Sequence, residues 1–265
     1  LWCSLKQNSD GVLRGARLNG DHTYLTKIGK AWLNGEQVSR TNREQEKNNL
    51  PIPIYYGVGE EIELNVPDLS GETFQEVYED RKISKNLADY IRDSDGILLF
   101  IHCGKINEPV LIADIKRPAW DGEEHQELKE RIPRNDDPTA VQLVELLQFV
   151  SYIREKEHVN LCVIVSAWDI IDSIGAGAPS PSGFVKERLP LLWQYLLSNG
   201  NVFSPVFFGV SAQGGDISVP KNRERLLDVL DPLTRIKVID DKKEISNDIT
   251  LPLEVILRRE LSDAK

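Results

Sequence analysis

The chain has 265 residues, of which 40% are hydrophobic, and its formal net charge is −10 at pH 7. This length and composition allow one well-buried core, and the acidic balance argues against a uniform basic surface for nucleic acid or an anionic membrane. The three cysteines, the lack of a secretory leader and the lack of an apolar run of about 18 residues argue against a disulfide framework and a transmembrane span. We therefore expect a protein of the reducing cytoplasm.

The first half of the chain alternates between helical and strand-like patterns of apolar residues. Between two of these patterns lies the polar segment 36–49, which carries Arg40-Thr41 and is predicted to be a loop that orders around a ligand. In chain order, the predicted elements are helices over 1–7 and 21–34, a hairpin of strands 52–56 and 61–66, a helix over 83–92 and a strand over 96–101.

The second half begins with residues 103–137, which are long, polar and punctuated by proline and are predicted to form an elaborated loop. The alternation of strands and helices then continues, which indicates one α/β domain over 1–265. The predicted elements after the loop are helices over 138–157, 184–197, 221–230 and 252–260 and strands over 161–166 and 203–210.

One candidate site lies where the alternating strand 62–66 ends in the segment 67–72. Asp68 follows the strand directly, and Gly71 comes three residues later. Since ligands of open α/β sheets bind at the carboxyl ends of the strands, this spacing offers a carboxylate and a backbone amide to a metal ion held by phosphates. A polar turn after a strand explains the same residues.

Two further strands end in polar residues. The run 161–165 is continuously apolar, as is typical of a strand buried on both faces of a parallel sheet, and it ends in Ser166-Ala167-Trp168-Asp169. The apolar run 203–210 ends in Ser211-Ala212-Gln213. Parallel strands bring these ends to one edge of the sheet, so we expect the three sets of residues to form one site.

This ordered set of motifs resembles the guanine-nucleotide-binding GTPases of the Ras-like, translation-factor-related (TRAFAC) class of P-loop proteins. Within that class, Arg40-Thr41, the segment 68–72 and Trp168-Asp169 look most like the bacterial double-GTPase families of multi-gene conflict systems. The resemblance covers nearly the whole chain. It implies a mostly parallel sheet with one antiparallel edge strand and helices on both faces, and a GTP-dependent switch with slow hydrolysis whose protein partner is another GTPase or an effector.

The resemblance also implies roles for the motif residues. Asp68 would hold Mg²⁺ through a water, Thr41 would bind the same ion when the third phosphate is present, and Gly71 would present its amide to that phosphate. Glu72 stands where many relatives carry the glutamine that orients the attacking water. The base of GTP or GDP would be bound by Ser166, Trp168, Asp169, Ser211, Ala212 and Gln213, with Asp169 as the reader of guanine.

The sequence departs from the family pattern at two places. It contains no Gly-x-x-x-x-Gly-Lys-Ser/Thr phosphate loop, and because Leu1 to Leu5 looks like the interior of a helix, we expect that loop to be encoded upstream of Leu1. The lysine that covers the base face in relatives is Ala167 here. Trp168 either replaces it by stacking on the base or belongs to the core.

Two other functions stay open at this point. Pro67-Asp68 followed by Asp114-Ile115-Lys116 resembles the core of metal-dependent nucleases, in which two carboxylates and a lysine activate water. That alternative leaves the residues after 165 and 210 unexplained. A degenerate GTPase-like module that only binds partners is favoured if the natural protein lacks the phosphate loop.

Overall fold

Three parallel strands form the centre of the fold. Two of them end in residues of the predicted site, at 166–169 and 211–213. The structure is a computed structural model that describes residues 1–7, 11–16, 23–36, 49–57, 59–67, 71–110, 130–155 and 157–263. Within these residues the strands are β1 (Leu13–Gly15), β2 (Asn49–Tyr56), β3 (Glu60–Pro67), β4 (Gly96–His102), β5 (Val159–Ser166), β6 (Phe203–Ser211), β7 (Lys237–Ile239) and β8 (Ile245–Ser246).

The helices of the described residues flank these strands. They are α1 (Trp2–Gln7), α2 (Thr23–Leu33), α3 (Gly71–Asp80), α4 (Lys85–Asp93), α5 (Pro133–Asp136), α6 (Thr139–Ile153), α7 (Asp169–Asp172), α8 (Pro181–Arg188), α9 (Pro190–Ser198), α10 (Pro220–Leu227) and α11 (Leu251–Asp263). No helix of the described residues is long and apolar enough to cross a lipid bilayer.

The strands form a mixed sheet in the order β4-β5-β6-β7-β8, in which β4, β5 and β6 run parallel. This confirms the predicted α/β class. The antiparallel part differs from the prediction of a single edge strand. The predicted hairpin, now β2 and β3, lies with β1 in a separate three-stranded sheet, and the short strands β7 and β8 add an antiparallel edge beside β6.

The β7–β8 edge is made by a tight turn that has no apolar signature. The carboxylate of Asp240 accepts hydrogen bonds from the backbone N–H of Lys242 and of Glu244, at 2.9 and 2.8 Å. Lys243 adopts a left-handed conformation between them. A side chain that caps its own turn reverses the chain within a few residues. The strands on either side have three and two residues, which is too few to show a periodic pattern.

The continuous apolar run of β5 is buried on both faces, as predicted. Leu161, Val163 and Val165 belong to one hydrophobic cluster with α6, α8 and α9. Cys162 and Ile164 belong to a second cluster on the opposite face, which includes Ile256 of α11. Because neighbouring side chains of a strand point to opposite faces, this central strand is covered by helices on both sides.

Proline decides where two of the helices begin. The predicted helix 184–197 is divided into α8 and α9 at Pro190, which has no backbone N–H to continue the ladder and instead occupies the first turn of α9. Pro181 starts α8, where the hydroxyl of Ser180 accepts a hydrogen bond from the N–H of Gly183 at 3.2 Å.

Gly209 of β6 leaves room for the indole of Trp168. A Cβ on Gly209 would lie 2.6 Å from Cε3 of Trp168 and 2.7 Å from Cγ2 of Ile239. We therefore expect Gly209→Ala to lower the free energy of unfolding by about 1–3 kcal/mol, because this side of the core has no space for a methyl group.

Urea unfolding measures this change. Gly200→Ala is the matched control, because a Cβ there would find its nearest neighbour, the oxygen of Leu197, at 3.8 Å, and it should change the free energy by less than about 0.5 kcal/mol. Equal stability of both variants would contradict the packing of Trp168 against Gly209.

Candidate functional site

The register of the parallel strands brings the ends of β5 and β6 together. Ser166, the last residue of β5, lies beside Val210 of β6. The chain then turns, and the N–H of Trp168 donates to the oxygen of Val210 at 3.2 Å. The two predicted segments 166–169 and 211–213 therefore leave the sheet as neighbours.

A hydrogen bond joins the two segments directly. The hydroxyl of Ser211 donates to Oδ1 of Asp169 at 2.6 Å. Asp169 begins the short helix α7 and is partly buried, whereas Ser211 is fully buried. Among the residues that the structure describes, the other oxygen of Asp169, Oδ2, accepts no hydrogen bond. The described residues thus hold this carboxylate at one of its two oxygens.

The loop after β6 is fixed by glycine as well as by Ser211. The N–H of Gly214 donates to the hydroxyl of Ser211 at 3.0 Å. Gly214 has a φ of +75°, and a Cβ at this position would lie 2.5 Å from the oxygen of Arg235. Any other residue would therefore be both strained and obstructed. The backbone N–H groups of Ala212 and Gln213 have no acceptor among the described residues.

Trp168 lies in the core. Its side chain has no exposed surface and meets the ring of Phe184 edge-on, with ring centroids 6.0 Å apart. A base stacks on an open ring face, so the structure favours the core alternative for Trp168. Its indole Nε1–H has no hydrogen-bond partner among the described residues.

Ser166 and Ala167 shape the turn between β5 and α7. The hydroxyl of Ser166 donates to the oxygen of Ile101 at 3.3 Å and so ties the end of β5 to β4. Ala167 has a φ of +57°, in the left-handed region that side chains rarely adopt. Its oxygen accepts a hydrogen bond from the thiol of Cys103 at 3.0 Å. Burial, followed by the negative charge of Asp169, raises the pKa of this thiol.

Most of the predicted phosphate and metal residues fall outside the described part of the chain. Arg40, Thr41 and Asp68 lie in segments 37–48 and 68–70, and Asp114 and Lys116 of the nuclease alternative lie in 111–129. Gly71 and Glu72 are the first two residues of α3, a helix that the sequence did not predict. Among the described residues, no three His, Cys, Asp or Glu side chains form a metal-binding group.

Helix α3 is anchored at its far end by a buried carboxylate. The hydroxyl of Tyr78 donates to Asp137, which is 6% exposed, and the guanidinium of Arg131 donates to both oxygens of Asp137 at 2.5 and 2.6 Å. Arg131 and then Tyr78 lower the pKa of Asp137 by hydrogen bonding. Burial, followed by the hydrogen bond to Asp137, raises the pKa of Tyr78 to about 12.

No local pattern of residues predicts this anchor. Tyr78 and Asp137 are 59 residues apart, and Asp137 belongs to the segment that was predicted as an elaborated loop. The backbone oxygen of Asp137 accepts further hydrogen bonds from the side chains of Asn107 and Gln142, at 3.0 and 2.9 Å. Asp137 therefore connects Asn107 of that segment to helices α3 and α6.

The fold and the position of the polar residues place this protein in the α/β class. Its candidate site lies at the carboxyl ends of the parallel strands, the edge where such sheets bind ligands. The chain belongs to the Double-GTPase 1 family, whose sequence model (DO-GTPase1) matches residues 1–256. This confirms the resemblance to double GTPases. No curated protein and no solved structure matches the chain.

The Tyr78–Asp137 bond should appear in the pH dependence of stability. The folded state keeps the Tyr78 phenol neutral up to about pH 12, whereas the unfolded chain ionises near its ordinary value of 10. This contribution is complete below pH 10 and is lost as the pH rises through 12. We expect the difference in unfolding free energy between the unmutated protein and Tyr78→Phe to shrink across that range.

Urea unfolding at a series of alkaline pH values measures the difference. Tyr152→Phe, at a position that is 81% exposed, is the control for the substitution itself. A Tyr78→Phe curve that does not differ from this control would mean that the phenol makes no bond to Asp137 in solution.

Proposed function

We propose that this protein binds GTP and GDP with Mg²⁺ and acts as a molecular switch that hydrolyses GTP slowly. The family match supports a GTPase, and the bond between Ser211 and Asp169 is the observation that carries the proposal for guanine. A Ras-like arrangement, a protein partner that is another GTPase or an effector, and a role in a bacterial conflict or defence system belong to the same proposal. These last points rest on the resemblance of the motifs.

The groups available at the strand ends complement guanine. The Watson–Crick edge of guanine carries two N–H donors and one carbonyl acceptor. The carboxylate of Asp169 offers acceptor oxygens to the donors. The N–H groups of Ala212 and Gln213, which have no acceptor in the described part of the chain, offer donors to the carbonyl. Adenine presents the opposite pattern and would leave the partly buried carboxylate without partners, which is the basis of discrimination by unpaired polar groups.

The phosphate end of the site would be formed by residues around the start of α3. Asp68 and Thr41 supply the oxygen ligands that Mg²⁺ prefers, Gly71 supplies a backbone N–H to the third phosphate, and Glu72 orients water. Bound Mg²⁺ would neutralise negative charge on the phosphates. Anchoring of α3 through Tyr78 and Asp137 supports this assignment, because a site residue on a fixed helix is held in a defined place.

Strand β4 lies at the edge of the five-stranded sheet, because among the described residues it pairs only with β5. Phe100 on β4 is 62% exposed, which is unusual for an aromatic residue of a parallel strand. The Ras-like arrangement of the proposal would place a further strand against this edge.

Base preference tests the proposal. We expect GTP to be preferred over ATP by about tenfold to a hundredfold, and Asp169→Asn to shift the preference to XTP, because an amide can donate to the carbonyl that replaces the amino group of guanine. Competition binding with the three nucleotides, in the presence of Mg²⁺ and on the full natural protein, measures both effects.

Asp172→Asn is the matched control. Asp172 lies in the same short helix but is paired with Lys237, so its replacement should leave the order of nucleotides unchanged. Phosphate release from GTP in the same samples tests hydrolysis. Equal binding of ATP and GTP by the unmutated protein would contradict the guanine assignment, and binding without phosphate release would leave a partner-binding module.

A further inference from the structure

The end of α2 is bonded to the loop after β6. The indole Nε1–H of Trp32 donates to the oxygen of Ala212 at 2.9 Å, although the two residues are 180 positions apart. In return, Nε2 of Gln213 donates to the backbone oxygen of Trp32 at 3.3 Å. Two neighbouring residues of the loop are therefore tied to one residue of the helix.

A buried arginine fixes the ring of Trp32. Arg235 is 5% exposed, and its guanidinium carbon lies 4.7 Å from the centroid of the Trp32 ring. Its Nη2 donates to the oxygen of Leu33 at 3.3 Å, at the end of α2. No carboxylate pairs with Arg235 among the described residues. The aromatic face and the carbonyl end of the helix thus stabilise this cation and hold the indole in one orientation.

The bond from Trp32 fixes the direction of a peptide group in the candidate base site. The oxygen of Ala212 and the N–H of Gln213 belong to the same planar trans peptide and point in opposite directions. Since the oxygen points at α2, the N–H of Gln213 points away from α2. That N–H has no acceptor among the described residues. The hydrogen bond from Trp32 to the oxygen of Ala212 therefore determines the direction in which this donor points.

The same loop controls Asp169. Gly214 donates to Ser211, and Ser211 donates to Asp169, at 3.0 and 2.6 Å. With the two bonds to Trp32, each of the residues 211–214 is held by a hydrogen bond. Both the carboxylate acceptor and the amide donors of the candidate site therefore depend on where this loop lies.

We propose that Trp32 is a positioning residue that sets the base selectivity of the loop 211–214. This inference rests on the proposed function, because it concerns the reading of guanine by the same loop. The ring acts through Ala212 and Gln213 and does not itself touch the nucleotide. Loss of the indole N–H should therefore weaken the discrimination between bases and leave the recognition of phosphates unchanged.

Trp32→Phe tests the proposal, because it removes the N–H and keeps an aromatic face for Arg235. We expect the ratio of GTP to ATP affinity to fall about three- to tenfold, the effect of one lost hydrogen bond, while the ratio of GTP to GDP affinity stays within about twofold. A merely structural loss would weaken GTP and ATP equally. Trp193→Phe is the control, because Trp193 lies on α9 against Phe207, with centroids 5.7 Å apart, and its GTP to ATP ratio should not change.

Gln213→Met provides a second variant that avoids a change of the aromatic core. It removes the bond to the oxygen of Trp32 and also removes a buried oxygen, Oε1, that has no partner among the described residues. The fold should therefore be retained, and the GTP to ATP ratio should fall in the same direction as for Trp32→Phe.

The outcomes separate this inference from the proposed function. Selective binding of GTP by the unmutated protein, with ratios unchanged in folded Trp32→Phe or, if that variant does not fold, in Gln213→Met, would overturn the role of Trp32 alone. Equal binding of GTP and ATP by the unmutated protein would overturn both.

Discussion

The hydrogen bond from Ser211 to Asp169 is the contact on which the candidate site depends. It joins the ends of two parallel strands, and it exists because the register of β5 and β6 places Ser166 beside Val210. A shift of one residue would move the alternating side chains of β5 to the wrong clusters, so the hydrophobic core specifies the register. The geometry of the polar edge is therefore a consequence of how the apolar strand is buried.

Two residues before Asp169 determine where its side chain lies. Trp168 fills the space above Gly209 and is fully buried, which fixes the residue before Asp169. Ala167 accepts a left-handed conformation, at a cost of about 1 kcal/mol, so that the chain can turn from β5 into α7. Ala167, where the resemblance to GTPases predicts a lysine, thus serves the turn, and in the proposed site only its methyl group would cover the base.

The sequence predicted the elements whose signal is local. The apolar run of β5, the alternation in the hairpin β2–β3 and the helical stripe of α6 each gave an element of the right type. The polar residues after β5 and β6 lie at one edge of the sheet, as parallel strands predict. The prediction that the strand before Asp68 ends at the same edge of that sheet was wrong, because β3 belongs to the separate three-stranded sheet. The family resemblance, made from the same residues, is confirmed by the match over residues 1–256.

The features that the sequence did not predict depend on contacts between distant residues or on very short segments. β7 and β8 have three and two residues, which is too few for a periodic pattern. The start of α3 at Gly71 followed a segment with the composition of a turn. The bonds of Tyr78 to Asp137 and of Trp32 to Ala212 join residues 59 and 180 positions apart. Thr41 and Asp68 stay predictions, because they lie outside the described residues.

A double-mutant cycle on Asp169 and Ser211 tests the central claim most directly. The measurement is the free energy by which each protein prefers GTP over ATP, determined for the unmutated protein, Asp169→Asn, Ser211→Ala and the double variant. If Ser211 acts by holding the carboxylate, its replacement has little effect once Asp169 is changed, and the coupling energy is about 1 kcal/mol or more. Additive effects within about 0.3 kcal/mol would mean that the two strand ends do not form one site.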